Sequence, residues 1–169
     1  MTKTVAVVAA LDTKGDEAQL IKRVIESQGV NTLLIDVGVL GAPTIPVDVS
    51  RADVAAAGGG DLAELVSSQD KGRAMATMTR GAAAIAGRLY GEGRFDGIIG
   101  LGGTAGTAIG SSAMRALPVG VPKLLVSTVA SGDTRPYVGS KDIAMMYSVV
   151  DIAGINRLSA DILTNAAGA

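Results

Sequence analysis

Apolar and polar positions along the chain fall into short buried runs separated by helical patterns. Thr4 to Ala10 is a compact, valine-rich run that predicts a first strand. After a polar stretch from Leu11 to Glu17, Ala18, Ile21, Val24 and Ile25 recur at helical spacing. Lys22, Arg23 and Glu26 take the other face, and Gly29 is placed to stop the helix. Thr32 to Val37 predicts a second strand, which makes a strand–helix–strand unit of about 35 residues, the building block of a parallel sheet. Residues 38–60 are broken by glycine and proline, with a capping-box-like helix start at Ser50 to Asp53. Asp61 to Ser67 fits either a short helix or a strand.

Lys71 to Gly91 is the longest helical pattern. Met75, Met78, Ala82, Ile85 and Leu89 line one face at steps of three and four; Arg73, Thr77, Arg80, Ala84, Gly87 and Arg88 line the other. That second face is rich in small residues, which predicts a helix covered on both sides. Further strands are expected at Asp96 to Leu101, Lys123 to Val129 and Ile143 to Val150, with helices from the glycine turn to about Leu117 and from Asn156 to Ala166. The order predicts one α/β domain over 1–169: a doubly wound, Rossmann-like, mostly parallel sheet with helices on both faces.

Composition narrows the chemistry. The 169 residues are 48% hydrophobic but only 2% aromatic, so small aliphatic side chains fill the interior and elements can approach closely. Histidine and cysteine are both absent, which excludes disulfides, thiolate chemistry, zinc sites built on Cys or His, and Ser-His-Asp catalysis by this chain alone. A net charge of -1 argues against nucleic-acid binding driven by phosphate neutralisation. No apolar run reaches transmembrane length, and the opening run ends at Asp12 rather than at a small-residue cleavage site, so neither a membrane partner nor a signal peptide is expected. The lack of cysteine fits a cytoplasmic setting.

Candidate chemistry collects where strands end. The segment Gly100 to Gly110, between a predicted strand and a predicted helix, holds Gly102, Gly103, Thr104 and Ala105. A glycine-rich strand-to-helix turn presents backbone N–H groups to an anion, phosphate above all; its plainer use is tight packing of helix on sheet. Neither the P-loop pattern nor the dinucleotide fingerprint is present. Lys14 offers a point charge and Thr13 a hydroxyl, while Asp12 suits a ribose hydroxyl or a metal-bound water; the alternative is a solvated turn that caps the first helix. Arg80, if buried on its small-residue face, needs an anion or a partner's carboxylate; the alternative is a surface arginine. Ser131, Asp133 and Thr134 form another polar loop end, and Asp151 and Asn156 either line the same edge or cap the last helix.

Taken together, Asp12 to Lys14, Arg80 to Ile85, Ile99 to Thr104, Ser127 to Gly132 and Ser148 to Asn156 resemble one family. It comprises the ATP-binding domain of the tomato mosaic virus resistance protein and its bacterial and fungal relatives. The resemblance spans essentially the whole chain and implies the first, N-terminal subdomain of a two-subdomain nucleotide-binding architecture that tends to dimerise. It implies ATP against Asp12, Thr13 and Lys14, reached by Arg80 and lying over Gly102, Gly103, Thr104 and Ala105; Mg²⁺ could bridge its phosphates and Asp12, which the sequence itself does not show. Two departures stand out: Ala105 stands where the family pattern often has glycine, and Gly38 and Val39 stand where the plant member has hydroxyl residues, leaving a backbone contact at Val39. Two other functions compete: an enzyme on a small phosphorylated or carboxylated metabolite, with Lys14 or Asp12 as base, and a dimerisation or scaffold module. The expected partners are a nucleotide and either a second copy or a second subdomain.

Overall fold

A computed structural model describes residues 2–169. Five strands, β1 (Thr4–Ala9), β2 (Asn31–Asp36), β3 (Gly97–Gly102), β4 (Lys123–Ser127) and β5 (Ala144–Tyr147), form one all-parallel sheet in the order β2-β1-β3-β4-β5. The chain winds outward from β1 to β2, crosses back, and then builds β3, β4 and β5 on the other side. The direction reverses between β1 and β3, and a crevice opens there at the carboxyl ends of the strands.

Successive strand residues feed two separate cores, as the two-residue period of a strand requires. Ala6, Val8, Leu33, Ile35, Ile98 and Leu125 face α2 (Arg51–Ala57), α4 (Lys71–Gly91) and α5 (Thr104–Arg115). Val7, Ala9, Leu34, Ile99, Leu101 and Val126 face α1 (Gly15–Ser27) and α7 (Arg157–Gly168). The doubly wound α/β arrangement predicted by the pattern is the one observed. Two short helices, α3 (Leu62–Ser68) and α6 (Arg135–Val138), complete the chain. Asp61 to Ser67, open between two readings, is helical because Asp61 accepts the Glu64 N–H and caps it. The β5 run is shorter than predicted: Val150 N–H turns back to Ser148 C=O at 2.7 Å and ends the pairing.

Helix α4 has the predicted bounds, but its second face is covered only in part. Thr77 and Gly81 are buried, whereas Ala84 and Arg88 are exposed. The cover is α2, which approaches through two glycines. A Cβ at Gly81 would lie 1.8 Å from Val54 O, and one at Gly58 would lie 2.1 Å from Thr77 O.

Candidate functional site

The crevice between β1 and β3 is a cleft of about 290 Å³. Asp12, Thr13 and Lys14 from the loop after β1, Val39 from the loop after β2, and Gly102, Gly103, Thr104 and Ala105 from the turn after β3 all line it. The structure therefore brings these eight residues singled out from the sequence to one cleft. Ser131 and Arg80 lie elsewhere. Ser131 is exposed on the loop after β4 and is not part of the cleft wall. Arg80 is also exposed and outside the wall; its Nε and Nη2 donate to Gly58 O at 3.1 and 2.9 Å. The condition that made it call for an anion, burial without a partner, is not met, because the Gly58 carbonyl at the end of α2 receives the guanidinium.

The glycine turn separates into two kinds of position. A Cβ at Gly102 would lie 2.7 Å from Gly106 Cα, and one at Gly106 would lie 3.2 Å from Leu101 O, so these glycines let α5 start directly against β3. The packing explanation holds for them. It fails for Gly103, where a Cβ would meet only Thr128 Oγ1 at 3.7 Å and where φ is an ordinary -76°. Gly103 is the N-cap of α5 and makes no side-chain cap. By contrast α2, α3, α4 and α7 are capped by Ser50, Asp61, Asp70 and Asn156. The first-turn N–H groups of α5 thus point to the open side of the sheet without a protein acceptor, and carry the positive end of the helix dipole.

Two carboxylates set the shape of the loops opposite. Asp36, fully buried at the end of β2, accepts Leu11 N–H at 3.0 Å and Gly38 N–H at 2.9 Å through Oδ1. Asp12 returns the tie: its Oδ2 accepts Leu40 N–H at 2.8 Å and Gly41 N–H at 3.0 Å. Gly38 packs directly on the Asp12 carboxylate, with 2.6 Å from an added Cβ to Asp12 Cγ and Oδ1. Asp12 Oδ1 and Asp36 Oδ2 are buried and accept no hydrogen bond. Burial pushes the Asp36 carboxyl above its ordinary 3.8; the Gly38 and Leu11 N–H groups pull it down, the Asp12 charge pushes it up and Arg51 pulls it down. Lys14 Nζ makes no hydrogen bond or ion pair among the described residues.

Sequence reasoning missed the apolar side of the cleft. Ala74, Met75 and Met78 of α4 and Ile109 of α5 form that wall, together with Leu40. Met75 and Met78 lie on the apolar face of the helical pattern, and Met78 serves core and cleft alike: it is fully buried and still borders the cleft. Asp151, left open between lining and capping, lines the cleft, while Asn156 caps α7 by accepting Ser159 N–H at 3.0 Å. No group of three or more Asp, Glu, His or Cys side chains gathers around a common point among the described residues. No helix among them is long and apolar enough to cross a membrane.

The chain is similar to several known proteins. The chain is 53% identical over 167 residues to a UPF0261 protein of Clostridium tetani, covering 99% of this chain and 41% of that protein. It is 45% identical to the UPF0261 protein RA0729 of Rhizobium meliloti, with the same coverage. A 99-residue stretch is 46% identical to the ToMV resistance protein Tm-1(GCR237) of Solanum lycopersicum, covering 59% of this chain and 13% of that protein. The chain spans about two fifths of the length of the bacterial relatives. Among solved structures, MurG of Acinetobacter baumannii aligns with a TM-score of 0.48 at 14% identity over 91% of this chain and 43% of that one. The profile of the Uncharacterised protein family (UPF0261) N-terminal domain matches residues 3–169, and the chain belongs to that family.

Proposed function

We propose that the cleft binds a nucleotide, ATP in the first place, with the polyphosphate against the start of α5 and the base on the apolar wall. The observation that carries this is the uncapped N-terminus of α5 at the point where the strand order reverses, beside a lysine without a partner. Backbone N–H groups at Thr104 and Ala105, the dipole of α5 and the Lys14 ammonium supply the positive potential. Met75, Val39 and Leu40 supply apolar contact for a purine.

Asp12 and Asp151 against Lys14 leave the lining with one net negative charge, counted over the charged residues of the wall. A polyphosphate entering such a cleft brings its own cation, and Mg²⁺ suits the role because it is held by one or two carboxylates plus phosphate oxygens. We further propose a cytoplasmic setting and a second copy or a second domain as partner. The partner is supported by four exposed apolar side chains, Tyr147, Val149, Ile155 and Leu158, close together in the chain, and the setting by the absence of cysteine.

Calorimetric and thermal-shift titration with ATP and ADP, with and without Mg²⁺, tests the reading. Ligand at about 100 times its dissociation constant adds about 2.7 kcal/mol to stability. Lys14→Ala is expected to weaken binding about tenfold while leaving the melting temperature of the free protein unchanged. Absence of any shift with millimolar nucleotide would remove the proposal.

A further inference from the structure

The segment after β5 does not stay at its own edge of the sheet. It runs back over the carboxyl ends of β4 and β3 to reach α1, where Glu17 Oε1 accepts Gly154 N–H at 2.7 Å. Glu17 is 1% exposed and stands in the first turn of α1, where the helix dipole favours a buried carboxylate. Ile152, 2% exposed, is plugged into the core shared by Leu11, Leu101 and Leu163. Upstream, Val149 has φ +65° inside a three-residue turn closed by Val150 N–H to Ser148 C=O, and Ser148 Oγ donates to Val150 O at 2.7 Å. A β-branched residue in that conformation costs about 1–3 kcal/mol and persists only where its surroundings impose it. Between the strained turn and the Ile152 plug, Asp151 is exposed and lines the cleft. The crossing segment thus holds one carboxylate at a fixed place on the α1 side of the cleft, across from the apolar wall on the α4 side.

We infer that Asp151 is the specificity residue that accepts hydrogen bonds from the ribose hydroxyls of the bound nucleotide, and that Glu17 is the positioning residue that holds it there. This rests on the nucleotide reading of the cleft. With the phosphates on α5 and the base against Met75, the sugar is the remaining part of the ligand, and its hydroxyls are donors. The polar side of the cleft offers them a carboxylate acceptor whose backbone is already fixed, so little ordering is lost on binding.

The test compares ATP with 2′,3′-dideoxy-ATP by calorimetry on the full chain. Wild type is expected to bind ATP about tenfold or more tightly than the dideoxy form, the worth of a hydrogen bond to a charged group. Asp151→Ala is expected to close that gap. Glu17→Ala should close it too, whereas Glu17→Gln, which keeps an acceptor for Gly154 N–H, should preserve it; a purely structural role for Glu17 would lower the melting temperature without changing the ratio. If Glu17→Ala does not fold, Asp151→Ala decides. Equal affinity of wild type for both ligands, or a gap that survives Asp151→Ala, overturns the inference and leaves the nucleotide reading standing. Failure of wild type to bind either ligand overturns both.

Discussion

At the scale of single residues, the cleft is shaped by two carboxylates that, among the described residues, accept hydrogen bonds only from backbone. Asp36 fastens the loop after β1 through Leu11, and Asp12 fastens the loop after β2 through Leu40 and Gly41. Gly38 is the contact point of the pair, so Gly38→Ala has nowhere to put its methyl group except into the Asp12 carboxylate. The substitution is expected to cost about 1–3 kcal/mol in urea denaturation, from overpacking and from N–H groups released into a buried site. Asp12 was legible in the sequence as a polar residue just past a buried strand. Its partnership with Leu40 and Gly41 was not, because a hydrogen bond to backbone N–H leaves no mark on the identity of the residues that donate it. Arg80 shows the opposite difficulty: its neighbours in sequence are small, but the space they leave is filled by α2, whose Gly58 carbonyl lies far away in the chain.

Among the elements, helix α4 was the easiest to read and α6 the hardest. Twenty-one residues of regular period fix the first within its observed bounds. Four residues with proline near their start give no period at all, and α6 forms only where Thr134 C=O receives the Tyr137 and Val138 N–H groups. The contact of α2 on α4 depends on Gly58 and Gly81 together, each pressed against the other helix's backbone. Because the neighbouring atoms are carbonyl oxygens and not flexible side chains, Gly81→Ala must push the helices apart. A loss of about 1–3 kcal/mol or more is expected, read as a lower urea midpoint.

For the whole molecule, two carboxyl groups give the stability opposite pH dependences. Asp142 receives Lys123 Nζ at 2.8 Å and Gly120 N–H at 2.8 Å, and these bonds lower its pKa from 3.8 to about 2. A depressed folded value means that its contribution is present above pH 3.8 and is lost as pH falls from 3.8 toward 2. Asp36 is raised, mainly by burial, so its ionisation disfavours the folded state. Stability falls as pH rises from 3.8 through the raised value, and is lower by a constant amount above it. Asp36→Asn keeps an acceptor for Leu11 and Gly38 N–H but removes the titration; Asp142→Asn removes the other. In denaturation midpoints measured from pH 2 to 8, the first variant should lose the decline with rising pH and the second should lose the steepest part of the acid limb. Persistence of the decline in Asp36→Asn would contradict the cause assigned to it.

The tie between Glu17 and Gly154 spans 137 residues. Closing so long a loop is slow compared with forming the adjacent strand–helix units, and it ties the first helix of the domain to nearly its last segment. On a ribosome that adds about 5–20 residues each second, Glu17 emerges roughly 7 to 27 seconds before Gly154. During that interval a carboxylate destined for the interior stands without its donor, and the cleft lacks one of its walls. The nascent domain therefore passes through a stage with most of its sheet in place and its site still open, and synthesis itself sets the moment at which the pocket is completed.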